Sequence, residues 1–345
     1  MDKRDFSGVE VGAQELPVSL QRDGQRKALK TFANEPQGHQ AIVGYLRCAG
    51  RRVRVCLEST GVYGLDLALA LQRAGLEVMV ANPRAVRHFA TALMQRSKND
   101  RLDAVVLLEF AIRMPFQAWV PPRPAALQLH CLARRLEALT DMQAAEKSRL
   151  HAAQATDTTP PALRRDLERS LRSLRRAIAR LSAEAVRIIE RDPDLNLRYQ
   201  LLRSAKGVGP TSAIQILAEL GVVSEDLDVR QYVAYAGLDP REYSSGTSVH
   251  KKVRISKAGN AHLRRALYMP ALVAIRRQPN LRAFYQHLRD GGKLRMVALI
   301  AVMRKLLHAI YGMFKHQQPF EGAKVYRLPQ EVPLPQPSFS TAEVA

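Results

Sequence analysis

VRVCLESTGVYGLDLALALQRAGLEVMVAN, residues 53–82, reads as strand, helix, strand. The β-branched run from Val53 closes on Glu58, and glycines follow at 61 and 64. A periodic apolar segment then runs to Gly75, where a helix is expected to stop. LEVMVAN resumes a continuous apolar run that Pro83 terminates. Upstream, FSGVEVG (6–12), ELPVSLQ (15–21) and ALKTFA (28–33) are short strands close enough for an antiparallel meander. A helix, GHQAIVGYLRCAG (38–50), separates the two groups, and KNDRLDAVVLLEFAIR (98–113) reads as a further helix.

Three early strands followed by strand, helix, strand and helix is the order of an RNase H-like mixed sheet, so the expected class is α/β followed by α. PPRP (121–124) marks a boundary. Beyond it, Leu132, Leu136, Leu139, Met142, Glu146 and Leu150 continue at spacings of three and four. After TDTTPP (156–161), Leu163, Leu167, Leu171, Leu174, Ile178, Leu181, Ala185 and Ile188 keep close to a heptad rhythm, with seven arginines between 164 and 180 on the other faces. An intramolecular helical hairpin and a dimerising coiled coil satisfy that pattern equally. Residues 196–316 read as mainly helical, with REYSSGTS (241–248) and KAGN (257–260) as loops, and 317–345 as a flexible Pro-rich tail. The expected division is therefore 1–120, 121–195, 196–316 and 317–345.

Fifty-three Lys and Arg against 32 Asp and Glu leave a net charge of +21, which favours a polyanionic partner and fits phosphate-backbone binding. Three cysteines (Cys48, Cys56, Cys131) form no CxxC pair, which disfavours a zinc site or a disulfide framework. No uninterrupted apolar run reaches the roughly 18 residues of a spanning helix, so a cytoplasmic protein without membrane contact is expected.

Against this basic background stand four acids. Glu10 and Glu58 end expected strands, while Asp100 and Asp103 lie three apart and share one helix face. Acids converging on one spot repel unless a cation lies between them, and Mg²⁺ takes oxygen ligands. Two such ions about 4 Å apart can serve attacking and leaving oxygens at phosphorus.

Two further segments carry candidate chemistry. In YSSGTS (243–248), hydroxyls precede HKKVRISKAGNAHLRR (250–265), which holds six Lys/Arg and no acid. A serine there lies beside Lys251, Lys252, Arg254, Lys257, Arg264 and Arg265, groups suited to holding a phosphate and stabilising charge on its oxygens. Lys206-Gly207-Val208-Gly209 before PTSA has the form of a helix–hairpin–helix turn, whose backbone amides can take a phosphate. No GxxxxGK[ST] motif is present, so ATP-driven chemistry is not indicated.

The succession GVE, CLESTGVYG, NPRAVRHFA, SKNDRLDA, KGVGPTSA, YAGLDPREYSSGTS and RISKAGNAHLRRALYMPA resembles the DEDD transposases of the insertion-sequence family one-ten, over nearly the whole chain to about residue 315. The resemblance implies a RuvC-like domain (1–120) with a Mg²⁺ site at Glu10, Glu58, Asp100 and Asp103, then a coiled-coil arm (121–195). A transposase domain (196–316) would follow, with Ser245, the serine before the glycine, as nucleophile. It further implies a covalent phosphoserine intermediate on DNA, and dimers pairing into a tetramer in which one protomer's serine meets another's acids. A structured bridge RNA would pair with target and donor duplex DNA, in the bacterial cytoplasm at the nucleoid. Two departures stand out: Glu10 replaces the family's usual aspartate, and a second serine, Ser244, precedes Ser245. The expectation is an RNA-guided, Mg²⁺-dependent, site-specific DNA recombinase. A RuvC-like junction nuclease using metal-activated water, and an inactive nucleic-acid-binding descendant, are the alternatives.

Overall fold

The structure is a computed structural model describing residues 4–58, 63–95, 97, 99–246 and 249–328, with the backbone alone at 249–252. The chain divides into two compact units at Pro121/Pro122.

The first unit is built on one mixed sheet. Strands β1 (Arg4–Val9), β2 (Glu15–Arg22), β3 (Gln25–Arg26) and β4 (Lys30–Ala33) precede helix α1 (Pro36–Leu46). Then come β5 (Arg52–Glu58), α2 (Leu65–Arg73), β6 (Glu77–Ala81), α3 (Pro83–Ala92) and α4 (Asp100–Arg113). The sheet order is β3-β2-β1-β5-β6, with β4 also pairing β2. β2 is antiparallel to β1, whereas β5 and β6 run parallel to it and to each other. This is the RNase H-like order expected from the sequence, with the buried parallel strands covered on both faces.

Strand alternation assigns those faces. Val53, Val55 and Leu57 pack with Ile42 and Leu46 of α1 and with Leu67 and Leu71 of α2. Cys56 and Met79 turn the other way, against Val86 of α3 and Val106, Leu107 and Phe110 of α4. α4 sits so close to β1 that a Cβ on Gly8 would collide with Leu108 N and Ala104 O. At the opposite end of β1, fully buried Asp5 is held by Arg22 Nε at 2.9 Å and Arg51 Nε at 2.9 Å. That pairing satisfies a charge that burial would otherwise make costly.

Among the described residues, the second unit is helical apart from one hairpin. α5 (Pro124–Gln154) and α6 (Pro161–Arg191), each 31 residues, pack on each other within the chain. Arg164 closes their turn by donating to Ala153 O and Thr156 O. α7 (Pro193–Ser204), α8 (Pro210–Leu220) and α9 (Val229–Ala236) lead to β7 (Pro240–Ser245) and β8 (Val249–Ile255). α10 (Ala261–Arg277), α11 (Pro279–Asp290), α12 (Arg295–His316) and α13 (Gly322–Val325) follow. α12 is long and apolar enough to cross a membrane by composition, but Val302, Leu306, Leu307 and Ile310 place it in the core of this unit.

Two expectations need correction. REYSSGTS is not simply a loop, because Arg241–Ser245 belong to β7. The chain after His316 also does not begin a free tail. Phe320 N donates to Ser204 Oγ at 2.8 Å, and Asn280 Nδ2 donates to Tyr326 O at 2.8 Å, so residues up to 328 are tied to α7 and α11. The apolar side chains of Phe320 and Val325 pack against the core, which proline content alone did not reveal. Residues 329–345 lie outside the described residues.

Candidate active site

The register places Glu10 and Glu58 side by side. β1 and β5 pair in parallel with Val9 opposite Leu57, so the next residue on each strand is the carboxylate. The ladder continues at Glu10, whose N–H donates to Pro17 O at 3.0 Å. Counting by twos from Gly8 and from Cys56, both acids fall on the face that α4 covers. α4 crosses β1 where Leu108 N and Ala104 O flank Gly8, and its Glu109 accepts from Arg26 Nη2 at 2.5 Å. Asp100 and half-buried Asp103 occupy the first turn of this same helix. Asn99 fixes where that turn begins by accepting from Leu102 N at 2.9 Å.

Among the described residues, no three His, Cys, Asp or Glu side chains stand close enough together to hold a metal ion. Residues 59–62, Arg96 and Lys98, which flank Glu58 and α4, lie outside the described residues. The donor set is entirely carboxylate oxygen, which fits a hard divalent cation and does not suit a soft one. Cys56 is not a competing ligand: burial, together with the charge of Glu58, pushes its thiol up to about 12.

Ser245 ends β7 in the second unit and is exposed, as is the whole strand. Gly246 follows with φ 56°, the left-handed conformation that leaves the strand. Ser244 and Ser245 lie on opposite faces of the ribbon by strand alternation, so one phosphate meets only one of them. Thr247 and Ser248 lie outside the described residues, as do the side chains of Lys251 and Lys252. Arg254, opposite Arg241 in the register, and Lys257 are exposed.

The root of this hairpin is clasped. Lys257 N donates to Gly237 O at 3.2 Å, Ser256 N to Asp239 O at 2.8 Å, and Asn260 N to Tyr235 O at 2.6 Å. Ser256 Oγ adds a bond to Asp239 Oδ1 at 2.6 Å. Gly259 is so tightly enclosed that a Cβ would come within 2.6 Å of Gly237 N. Arg264 spends its guanidinium inside the clasp, donating to Ala236 O at 2.8 Å and Gly259 O at 3.2 Å. Arg265 pairs with Asp141 and Glu137 of α5. Both arginines thus have protein partners, unlike a pair held ready for phosphate alone.

Beneath the clasp lies a buried charge that sequence reading missed. Glu219 of α8 is fully buried and meets Arg134 Nε at 2.8 Å and Asn260 Nδ2 at 2.6 Å. Burial raises its pKa, but hydrogen bonds from His130 and Asn260 and the Arg134 charge outweigh this and hold it below the usual carboxylate range. Asn260 Oδ1 meanwhile caps α10 through His262 N and Leu263 N. Nothing in ILAEL distinguishes Glu219 from a solvated helix glutamate; only the asparagine before AHLRR, as a cap, was a signal.

The KGVG turn joins α7 to α8. Lys206 is exposed, Val208 is buried, and Arg203 Nη1 donates to Val208 O at 2.9 Å. Gly207, at φ 116°, packs against α10, where a Cβ would stand 2.8 Å from Pro270 O. Gly209 precedes the first turn of α8 without a side-chain cap.

The mixed sheet, the paired acids and the helical second unit belong to a DEDD-type transposase. A family model described as a transposase, of the DEDD IS110 type, matches residues 7–156, and one described as "Transposase IS116/IS110/IS902 family" matches 199–286. The chain belongs to the IS110/IS116/IS902 transposase family, enzymes that cut and rejoin DNA. It is 28% identical to the pilin gene-inverting protein of Moraxella bovis, over 84% of this chain and 90% of the relative. A probable family 20 transposase of Pseudomonas aeruginosa is 29% identical over 61% of this chain and 68% of its own length. Among solved structures, Thermus thermophilus RuvC bound to a Holliday junction matches with a TM-score of 0.27 at 15% identity, covering 33% of this chain and 98% of RuvC. Strand order, and not that likeness, defines the fold. The DEDD family match implies divalent-metal use in general and DNA as the class of substrate.

Proposed function

We propose that the chain is a site-specific DNA recombinase that moves an insertion sequence, with Ser245 as nucleophile and Mg²⁺ as the metal, directed by a structured guide RNA. The observation that carries the serine mechanism is the exposed position of Ser245 at the tip of a ribbon whose root is clasped. Its Oγ attacks the phosphorus of a DNA phosphodiester, and the hydroxyl proton passes to solvent or a nearby base. A serine–phosphate ester forms as one deoxyribose C–O–P bond breaks at phosphorus, and the released deoxyribose oxygen takes up a proton. Attack by the hydroxyl of a second strand reverses the step and restores the serine, so the exchange needs no ATP. Exposed Arg254 and Lys257 supply positive charge near the reacting phosphate, and the amides of the KGVG turn, with Lys206, hold DNA through its backbone.

Glu10, Glu58, Asp100 and Asp103 would hold the metal, which supplies charge neutralisation and oxygen activation at phosphorus. The acids and the serine belong to different units, which accords with a dimer-to-tetramer assembly in which protomers share sites. The guide RNA rests on family resemblance and on the net charge of +21.

The test is a covalent adduct. Incubated with cognate DNA and then denatured, the wild type gives a shifted protein–DNA band that Ser245→Ala abolishes and Ser244→Ala retains. Cleavage without an adduct would instead assign the chain to metal-activated water chemistry, the junction-nuclease alternative. Neither cleavage nor adduct would mark an inactive nucleic-acid-binding descendant. Sequencing the nucleic acid that co-purifies identifies or eliminates the guide RNA.

A further inference from the structure

α6 carries a second surface that the recombination chemistry leaves unused. Arg165, Arg169, Arg172, Arg176, Arg180 and Arg187 follow one another at spacings of four, three, four, four and seven, and all six are exposed. At 3.6 residues per turn they fall within an arc of about 80°. The buried Leu167, Leu171, Ala185 and Ile189 lie roughly opposite that arc. The helix therefore packs with one side and presents a line of guanidiniums on the other, about 33 Å long at 1.5 Å per residue.

Solubility alone does not account for this line. A solvated helix balances its signs through pairs at i,i+4, yet α6 has nine arginines against four acids, and none of the acids lies between Arg169 and Ala183. Arg172 and Arg187 each meet a carboxylate, Glu168 at 4.0 Å and Glu184 at 2.7 Å. Arg165, Arg169, Arg176 and Arg180 have no carboxylate within ion-pair distance among the described residues. Such a row destabilises itself by like-charge repulsion unless an anion lies along it. A nucleic-acid strand, with one phosphate per about 3.4 Å of duplex axis, presents about ten phosphates over that length. Arginine suits the task, because its planar fork binds phosphate bidentately and keeps its charge at any working pH.

We infer that the outer face of α6 is a phosphate-backbone track that lies along a nucleic-acid duplex and is blind to its base sequence. The track is separate from the residues assigned to cleavage, and it adds affinity without touching the reacting phosphate.

The experiment measures binding of the full-length protein to a 30-base-pair DNA duplex and an RNA duplex of equal length, as a function of salt. The variant replaces Arg165, Arg169, Arg176 and Arg180 with glutamine, a good helix former, which breaks no ion pair. Each lost phosphate contact removes about 0.9 from the slope of log K against log salt on B-DNA, so the four substitutions make the slope shallower by about 3.6. The corresponding four-lysine variant keeps most of the slope, since charge and not side-chain identity sets it. Circular dichroism confirms that the helical content is unchanged. A loss confined to one duplex identifies the strand type that the track holds. A slope unchanged on both duplexes overturns the inference.

Discussion

His39 Nε2 donates to Asn34 Oδ1 at 2.8 Å, and that bond orients an amide on which both strand ends of the acid site depend. Asn34 Nδ2 donates to Gly12 O at 2.8 Å and to Tyr63 O at 3.2 Å. Because the amide nitrogen is the donor in both, Oδ1 is the acceptor, which fixes His39 as the Nε2–H tautomer. Gly12 lies two residues past Glu10 and Tyr63 five past Glu58, so one side chain ties together the exits of β1 and β5.

Replacing Asn34 with leucine removes the donor for two carbonyls and leaves His39 without its acceptor. Urea unfolding is expected to show a loss of about 1–3 kcal/mol. Cleavage should fall further than the unfolded fraction accounts for, with a higher divalent-metal requirement. Equal losses in folding and activity would reduce the bond to a structural role.

The same histidine makes the first unit sensitive to acid. Burial lowers its pKa despite the nearby charge of Asp66. The unfolded chain therefore binds the proton more readily than the folded one, so stability is full above about pH 6.5 and falls as pH drops below it. Chemical denaturation between pH 5 and 8 should show that slope, and His39→Gln should flatten it.

Gly8 sets the distance between sheet and helix. In Gly8→Ala the new methyl meets the backbone of α4, which has to move outward and take Asp100 and Asp103 with it. The expected cost is about 1–3 kcal/mol by thermal or urea unfolding, with cleavage strongly reduced. Glu10→Asp tests the departure at the same end. It shortens the side chain by one methylene, and its expected effect is a change in metal requirement with unchanged stability.

In the second unit, Glu219→Ala strips the partner from a buried arginine contact and from Asn260. A loss of about 3–5 kcal/mol is expected in denaturant titration. Since the folded pKa of Glu219 is depressed, its contribution is full above the ordinary carboxylate pKa and disappears as pH falls through the lower folded value. The wild type should therefore weaken below about pH 4 more steeply than Glu219→Gln.

Arg264 and Arg265 separate fold from binding. Arg264→Gln should lower stability by removing bonds to two backbone carbonyls, with DNA affinity following only through the fold. Arg265→Gln, at an exposed ion pair, should change stability by less than about 1 kcal/mol. Denaturation and filter-binding measurements on the two variants distinguish these outcomes.

The sheet was legible because its strands are β-branched runs punctuated by glycine and proline, as in VRVCLE and LEVMVAN. The position of Glu58 at the end of β5 and of Asp100 at the start of α4 was legible for the same reason. The β7–β8 ribbon was not, because REYSSGTS has turn composition and no apolar alternation; its pairing depends on backbone bonds and on a clasp formed by residues up to 28 positions apart. Glu219 was illegible because its partners, Arg134 and Asn260, come from helices remote in sequence. The helical hairpin was half legible: the heptad pattern located its seam without saying whether the same chain or a second one fills it.

The clasped root of β7–β8 gives the ribbon the mechanics of a lever. Six residues of strand extend about 20 Å, so a tilt of about ten degrees at Gly237 and Gly259 would sweep Ser245 through about 3 Å. That arc is comparable to the distance separating contact from no contact with a phosphate. Adjusting reach would then require only small changes at the fulcrum or a pair of residues added to the arm, with the hydrophobic core of the helices left as it is.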